Sequence, residues 1–195
     1  MGPFKNLPAS LSGAWDVMNG RAEGLRKLDL TIDGFWRSFG AVVLILPVAL
    51  IAIASERVAL LAAGGEIAAL TGVYVVLRLI AVIVDWFTFP AVLALLARPM
   101  GIAQRFVPYI VARNWAAVLI AAFFAVPHLF HALGVLPTGI LPLVLLLLFG
   151  IAVWFGYVLV RTAMQVPPVM AIPVVGLEIA SGLFVELVFS RLVAA

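Results

Sequence analysis

Cysteine is absent from this chain, and charged residues are scarce. The 195 residues include no cysteine, so disulfide bonds and cysteine-ligated metal or iron–sulfur sites are excluded. Only 11% of the residues are charged, whereas 66% are hydrophobic, and the mean hydropathy is +1.25. These values lie outside the range of soluble domains. The chain is therefore expected to be an integral membrane protein.

The sequence also lacks the motifs that announce catalysis or nucleic-acid binding. It has no nucleophile elbow, no H-E-x-x-H, no phosphate loop and no dinucleotide fingerprint. Ser181 and Ser190 have no evident base, and Asp85 is the one aspartate within an apolar run, whereas intramembrane aspartyl proteolysis needs two. No long basic run suggests nucleic acid. We expect no enzyme activity, no catalytic residue and no cofactor.

Uncharged apolar runs define three membrane spans, since about 20 apolar residues cross a hydrocarbon core of about 30 Å. Two further runs are interrupted by charge. The predicted spans are 38–55, 67–97, 115–133, 140–160 and 169–189. Prolines that lie within or at the ends of these runs predict kinks; they are Pro47, Pro90, Pro127, Pro142 and Pro173. The expected fold is an all-α integral membrane protein with one five-helix transmembrane domain over residues 37–195.

A six-span arrangement is the alternative. It would start a helix near Val58 and turn the chain close to Asp85. The stretch Val58–Gly65 is only weakly apolar, ends in two glycines and is followed by Glu66. These features favour an interfacial connection and five spans.

The distribution of lysine and arginine predicts the orientation, because cytoplasmic flanks retain these residues. Nine of the twelve fall on one side of a five-span chain; they are Lys5, Arg21, Arg26, Lys27, Arg37, Arg98, Arg105, Arg113 and Arg161. Arg57 and Arg191 fall on the other side, and Arg78 lies within a span. The N-terminus is predicted to be cytoplasmic and the C-terminus periplasmic. Ten arginines against two lysines suggest a GC-rich bacterial genome, hence the bacterial inner membrane.

Residues 1–36 are too polar for a signal peptide but carry an apolar stripe at helical spacing. The stripe consists of Leu11, Trp15, Met18, Ala22 and Leu25, and Ser10 or Ser12 is a candidate cap. Nearby basic residues favour a helix that lies in the cytoplasmic headgroup layer. The alternative is that the stripe packs on the protein's own spans.

Four charges interrupt the apolar runs, namely Arg78, Asp85, Glu178 and Glu186. Arg78 and Asp85 are seven residues apart and therefore share one helix face. Burying either charge alone costs about 2.5–3.5 kcal/mol, so each needs a protein or water environment. Glu178 is the first candidate partner for Arg78, from its similar depth in its run. The network forms a structural salt bridge between spans two and five, or a proton or ion pathway, or an anion site built on Arg78.

His128 and His131 lie at spacing i, i+3 beside Pro127 and share a helix face. This spacing is compatible with metal or haem ligation, which makes the two histidines weak metal candidates. No further ligand type accompanies them on the same stretch, so hydrogen bonding near the interface is the favoured use.

Two stretches, "RPMGIAQRFVPYIVARNW" after span two and "WFGYVLVRTAMQVPPVMAIPVVGLEI" at the exit of span four, carry a resemblance. With five spans behind a cytoplasmic segment, residues 35–190 resemble the Yip family of Ypt/Rab-interacting membrane proteins and its bacterial relatives. Gly101, Phe106 and Tyr109 match that family's glycine turn and aromatic re-entry. The resemblance implies a non-enzymatic membrane organiser. The long N-terminal cytosolic domain of eukaryotic members has no counterpart, so GTPase binding is not carried over.

The predicted function is therefore a scaffold, auxiliary subunit or membrane-organising protein. Its expected partners are the lipid bilayer and either another membrane protein or further copies of this chain. The alternative is a small transporter or channel that uses Arg78, Asp85 and Glu178.

Overall fold

The computed structural model describes residues 6–64 and 72–194, and the described residues contain helices and no strand. Seven α-helices follow one another; they are α1 Leu7–Met18, α2 Ile32–Phe39, α3 Val42–Ala62, α4 Gly72–Ala97, α5 Phe106–Ala132, α6 Leu141–Met164 and α7 Pro168–Ala194. Short 3-10 helices lie at Ala22–Lys27 and Ala103–Arg105. Lys5 and residues 67–71 of the predicted second span lie outside the described residues.

Five helices are long and apolar enough to cross a membrane, as the sequence predicts. The first is the α2–α3 unit, Ile32–Ala62, and the others are α4 to α7. Helix α4 continues without a break through Asp85, where the six-span alternative would turn the chain. Prolines lie inside α3, α4, α5 and α7, and the kinks expected there stay a prediction.

Helices α3 and α5 extend beyond the spans predicted for them, and both extensions include charged residues. Helix α3 extends to Ala62, so it includes Glu56, which the sequence interpretation placed just beyond the span. Helix α5 starts at Phe106 rather than near Trp115, so Arg113 lies two turns inside it instead of in a connecting loop. Charge-free windows miss such turns because a charged residue is allowed in a span when protein surrounds it.

The five spans form a closed ring. Helix α3 packs against α4, α4 against α7, α7 against α6, α6 against α5, and α5 against α3. The pair α4 and α5, which faces across this ring, makes little contact. Large side chains such as Phe89, Leu93 and Tyr109 fill one end of the interior. Helix α6 is the most exposed span, which suits a helix that faces lipid.

The N-terminal segment forms a separate helical unit that packs on the ring. Helix α1 ends at Met18 because Gly20 adopts a left-handed conformation with φ +81°. The chain then reverses, so Ala22 and Leu25 do not continue the predicted stripe on one helix. The predicted caps are also wrong, since α1 begins at Leu7 and Ser10 and Ser12 lie inside it.

Helix α1 contacts α5 and α6. Ala14, Val17 and Met18 are buried there, and Leu11 and Leu25 pack against the same core. The Trp15 ring lies 6.2 Å from that of Phe123 and 6.0 Å from that of Phe155. This packing corresponds to the second interpretation of the stripe. Trp15 stays 40% exposed, and its contact with headgroups stays a prediction.

Two glycines and one aspartate close the N-terminal unit on itself. A Cβ atom on Gly24 would lie 2.5 Å from the carbonyl oxygen of Gly13, so the two backbones touch. Asp16 forms ion pairs with Lys27 at 2.6 Å and Arg21 at 2.7 Å. The hydrogen bond from Lys27 holds the pKa of the Asp16 carboxyl below its ordinary value of 3.8. The contribution of the ionised Asp16 carboxyl to folding stability is therefore present above pH 3.8 and is lost as the pH falls through the lowered pKa.

We predict that the two ends of the chain lie on opposite sides of the membrane, because the number of spans is odd. The absence of cysteine allows a direct measurement with Ala9→Cys and Leu192→Cys as single labels. A membrane-impermeant maleimide added to one side should label one variant and leave the other unlabelled until the membrane is opened. Labelling of both variants from the same side would contradict a five-span fold.

We predict that Gly24→Ala loosens the N-terminal unit, because its methyl group would overlap the Gly13 carbonyl. Such overpacking costs about 1–3 kcal/mol. Trypsin should then cleave after Arg21, Arg26 and Lys27 faster than in the native protein. Gly176→Ala in α7 is the matched control, since a Cβ there meets nothing within 4 Å. Equal cleavage rates in both variants would contradict the close approach of the two glycines.

Candidate functional site

A buried ion pair joins α5 to α7. The Nε of Arg113 donates to Oε1 of Glu178 at 2.8 Å. The hydroxyl of Tyr109, one turn earlier on α5, donates to the other carboxylate oxygen at 3.4 Å. The side chain of Arg113 is only 11% exposed and that of Glu178 is 29% exposed. An arginine this deep in a span requires such a partner, because a lone charge in hydrocarbon is costly.

Aromatic rings of α4 complete the surroundings of Arg113. Its guanidinium carbon lies 5.3 Å from the ring centroids of both Trp86 and Phe89, within the range of cation–π attraction. The next residue, Asn114, donates from Nδ2 to the Ser38 hydroxyl at 2.9 Å, which links α5 to α2. Two other helices, α4 and α7, thus fix the position of one guanidinium.

A second cluster surrounds Arg78 on α4. Its Nη1 donates to both carboxylate oxygens of Glu186 at 2.7 and 2.8 Å, and its Nη2 donates to Glu56 at 2.7 Å. The hydroxyl of Tyr74 also donates to Glu56. The predicted pairing of Arg78 with Glu178 is therefore wrong. Helix α7 runs beside α4 in a register that places Glu186, two turns after Glu178, opposite Arg78.

Asp85 lies between the two clusters. It is on the same face of α4 as Arg78 and about 10 Å further along the axis. Its Oδ1 would lie 3.5 Å from a Cβ on Gly182, the residue midway between Glu178 and Glu186 on α7. Among the described residues, Asp85 has no ion-pair or hydrogen-bond partner, unlike the other three acids.

Two cavities meet at Asp85. A central cavity of about 400 Å³ lies between α3, α4, α5 and α7, and five charged side chains line it; they are Glu56, Arg78, Asp85, Arg113 and Glu186. A second cavity of about 390 Å³ lies between α5, α6 and α7, with Asp85, Arg113 and Glu178 in an otherwise mainly apolar wall. Met18 of α1 also lines this second cavity. The ring interior therefore contains space at the level of Asp85, with charged side chains in mainly apolar walls.

The cavity walls carry more negative than positive groups. Four carboxylates and two guanidinium groups line the two cavities, which leaves a charge of −2 when all are ionised. Low dielectric surroundings magnify the field of this excess. The interior accordingly attracts cations and repels anions, which argues against the anion site on Arg78 that the sequence left open.

The histidines form a hydrogen-bonded group with Ser55 of α3. The Oγ of Ser55 lies 2.8 Å from Nδ1 of His131 and 3.1 Å from Nδ1 of His128. The Nε2 of His131 lies 3.2 Å from the Oγ1 of Thr138, in the loop before α6. No group of three or more acidic, histidine or cysteine side chains within the described ranges could hold a metal ion. The favoured use of the pair in hydrogen bonding agrees with these contacts.

Sequence reasoning missed Glu56, Arg113, Tyr109 and Ser55. Arg113 was counted as a flanking charge, Glu56 lies just beyond the first predicted span, and Tyr109 was noted only for its family resemblance. A signal was present for Arg113, since an apolar stretch precedes it in "FVPYIVARNW". Contacts between helices that are distant in sequence carried the rest of the information.

Comparisons with known proteins give no further assignment. No family model, no curated protein and no solved structure matches this chain. The resemblance to the Yip family stays a prediction from the sequence.

We predict that Glu178→Leu destabilises the protein by about 3–5 kcal/mol, because Arg113 would keep its charge and lose the carboxylate of its ion pair. The double variant Arg113→Met with Glu178→Leu should recover most of this loss, since both charges of the pair are removed together. Thermal unfolding in detergent, followed by tryptophan fluorescence, measures both. A double variant that is as unstable as the single one would show that the ion pair is not the main contribution of Glu178.

Proposed function

We propose that this chain is a small membrane transporter or channel that passes a cation through the interior of its five-helix ring. The observation that carries the proposal is the position of Asp85, a carboxylate without an ion-pair partner among the described residues, where two cavities meet. Intramembrane ionisable residues that face a cavity mark ion and proton pathways in membrane proteins.

The contrast between Asp85 and its neighbours supports this role. A structural salt bridge needs two opposite charges in contact, and the contacts of Arg78 and Arg113 already fix α4 and α5 against α7. Asp85 adds a further, half-buried charge without such a contact. If only stability mattered, a neutral side chain at position 85 would be better than a charge without an ion-pair partner. A residue that binds a passing cation, in contrast, requires a free carboxylate.

The scaffold or auxiliary-subunit role predicted from the sequence remains the second proposal. Helix α6 would provide its contact surface, with Leu143, Leu146, Leu147 and Trp154 exposed along it. Lipid alone covers such a surface equally well, so the surface of α6 does not distinguish the two proposals. The charged groups in the interior are therefore the feature that favours transport. The proposed location is the bacterial inner membrane, with α1 on the cytoplasmic side, as the arginine distribution indicates.

We predict that Asp85→Asn lowers cation flux by about tenfold or more, because the amide removes the charge that binds the cation while keeping its shape. The measurement uses the purified protein in liposomes, with separate gradients of protons, sodium and potassium. Asp33→Asn is the matched control, since Asp33 is exposed in α2 and lines neither cavity.

Flux in protein-containing liposomes that does not exceed that of empty liposomes would contradict transport. Native flux in Asp85→Asn would contradict the role of the carboxylate. A membrane partner that co-purifies in fixed ratio, together with native growth of cells that carry Asp85→Asn, would favour the scaffold.

A further inference from the structure

We propose that the cation is a proton, and that Thr138, His131, Ser55 and His128 form a hydrogen-bonded relay that carries it between the end of the ring and Glu56. This inference rests on the proposed transport function and names its substrate. The relay runs from Thr138 in the loop before α6 to His131 on α5, then to Ser55 on α3 and back to His128 on α5. The contacts that hold the helices together, described above, do not depend on it.

Ser55 is the centre of the relay because two imidazole nitrogens face one hydroxyl. The distances from its Oγ are 2.8 Å to His131 Nδ1 and 3.1 Å to His128 Nδ1. Ser55 and His131 are both fully buried, which protects these bonds from exchange with solvent. At the outer side of His131, its Nε2 lies 3.2 Å from the Thr138 hydroxyl.

Counting protons shows that this group has two equivalent arrangements. A neutral imidazole has one N–H donor and one acceptor nitrogen, and a hydroxyl has one proton and accepts from others. Ser55 therefore donates to one histidine and accepts from the other. In the first arrangement the donors point from Thr138 towards His128, and in the second they all point the opposite way.

The passage of one proton converts the first arrangement into the second. A proton that reaches the Thr138 oxygen releases the hydroxyl proton to His131 Nε2. The proton on His131 Nδ1 moves to Ser55, that of Ser55 moves to His128 Nδ1, and that on His128 Nε2 leaves. One proton enters and one leaves, and each imidazole ends neutral in its other tautomer. Reorientation of the hydroxyl and imidazole groups restores the first arrangement before the next transfer.

Glu56 is the residue of the central cavity that lies next to the relay in the chain. It follows Ser55 directly on α3. It lines the cavity that contains Asp85, and Arg78 and Tyr74 hold it there. The charged or titratable group that α3 places near the histidines is thus Glu56. Arg78 and Tyr74 of α4 contact Glu56, and within α5 the two histidines are each other's titratable neighbours. The relay leads towards a carboxylate and then towards Asp85.

A relay of this kind selects protons over metal ions. Protons move along hydroxyl and imidazole groups without a pore, whereas sodium or potassium needs oxygen ligands in place of its hydration shell. The relay residues supply only two hydroxyl oxygens, from Ser55 and Thr138, with imidazole nitrogens between them. The charge excess of the cavities then draws the proton inward.

The experiment measures proton flux into liposomes that contain the purified full chain and a trapped pH-sensitive dye, with potassium flux followed in parallel. Ser55→Ala should lower proton flux by about tenfold or more, because it removes the group common to both halves of the relay. Ser181→Ala is the matched control, since the Ser181 hydroxyl donates to a carbonyl of its own helix, that of Leu177. It should keep the native flux.

Thr138→Val provides a second test at the other end of the relay, in case Ser55→Ala does not fold. Its matched control is Thr88→Val, since Thr88 donates only within α4. Native proton flux in folded Ser55→Ala or Thr138→Val would overturn the relay. If Asp85→Asn still abolished the flux, transport itself would stand. Potassium flux without proton flux would overturn the choice of ion, and no flux in the native protein would overturn both proposals.

Discussion

The structure depends above all on the cost of placing Arg113 in the membrane. Its guanidinium is nearly inaccessible and always charged, so the fold must supply a carboxylate and polarisable rings around it. Glu178 of α7 and the rings of Trp86 and Phe89 of α4 meet this requirement. One charge on α5 therefore sets the position of two other helices. Helix α5 reaches Glu178 of α7 through the long side chains of Arg113 and Tyr109, and a cavity lies beside this contact.

This space separates the protein from a tightly packed helical bundle. Close-packed membrane bundles fill their interior with small residues and interhelical van der Waals contacts. Here α4 and α7 pack against each other and carry charged side chains on both sides of Gly182. The two ion-pair clusters lie at different depths, and Asp85 lies between them. The charged groups in the cavity walls thus follow from where the ion pairs are.

Hydropathy predicted the spans well because the requirement for a continuous apolar run is local in sequence. The number of helices long enough to cross the membrane followed from it. The pairing of the charges on α4 and α7 did not follow, because Arg78 was matched with Glu178 by depth counted from the ends of two apolar runs. The predicted spans that correspond to α3 and α5 were also too short, because charge-free runs stop at Glu56 and Arg113 whereas the helices continue past them. The single stripe from Leu11 to Leu25 failed for another reason, since Gly20 reverses the chain. Ser55 could not be predicted at all, as its histidine partners are more than seventy residues away.

The docking of α1 on α5 and α6 has a consequence for the order of assembly. Helix α1 is synthesised first, but the surface that it contacts is complete only after α6, more than a hundred residues later. At about 5–20 residues per second, this delay lasts roughly 7–30 s. During that time the apolar face of α1 has no protein partner and must be held by a chaperone or by the membrane surface. Helix α1 therefore reaches its place only after α6, which is made much later.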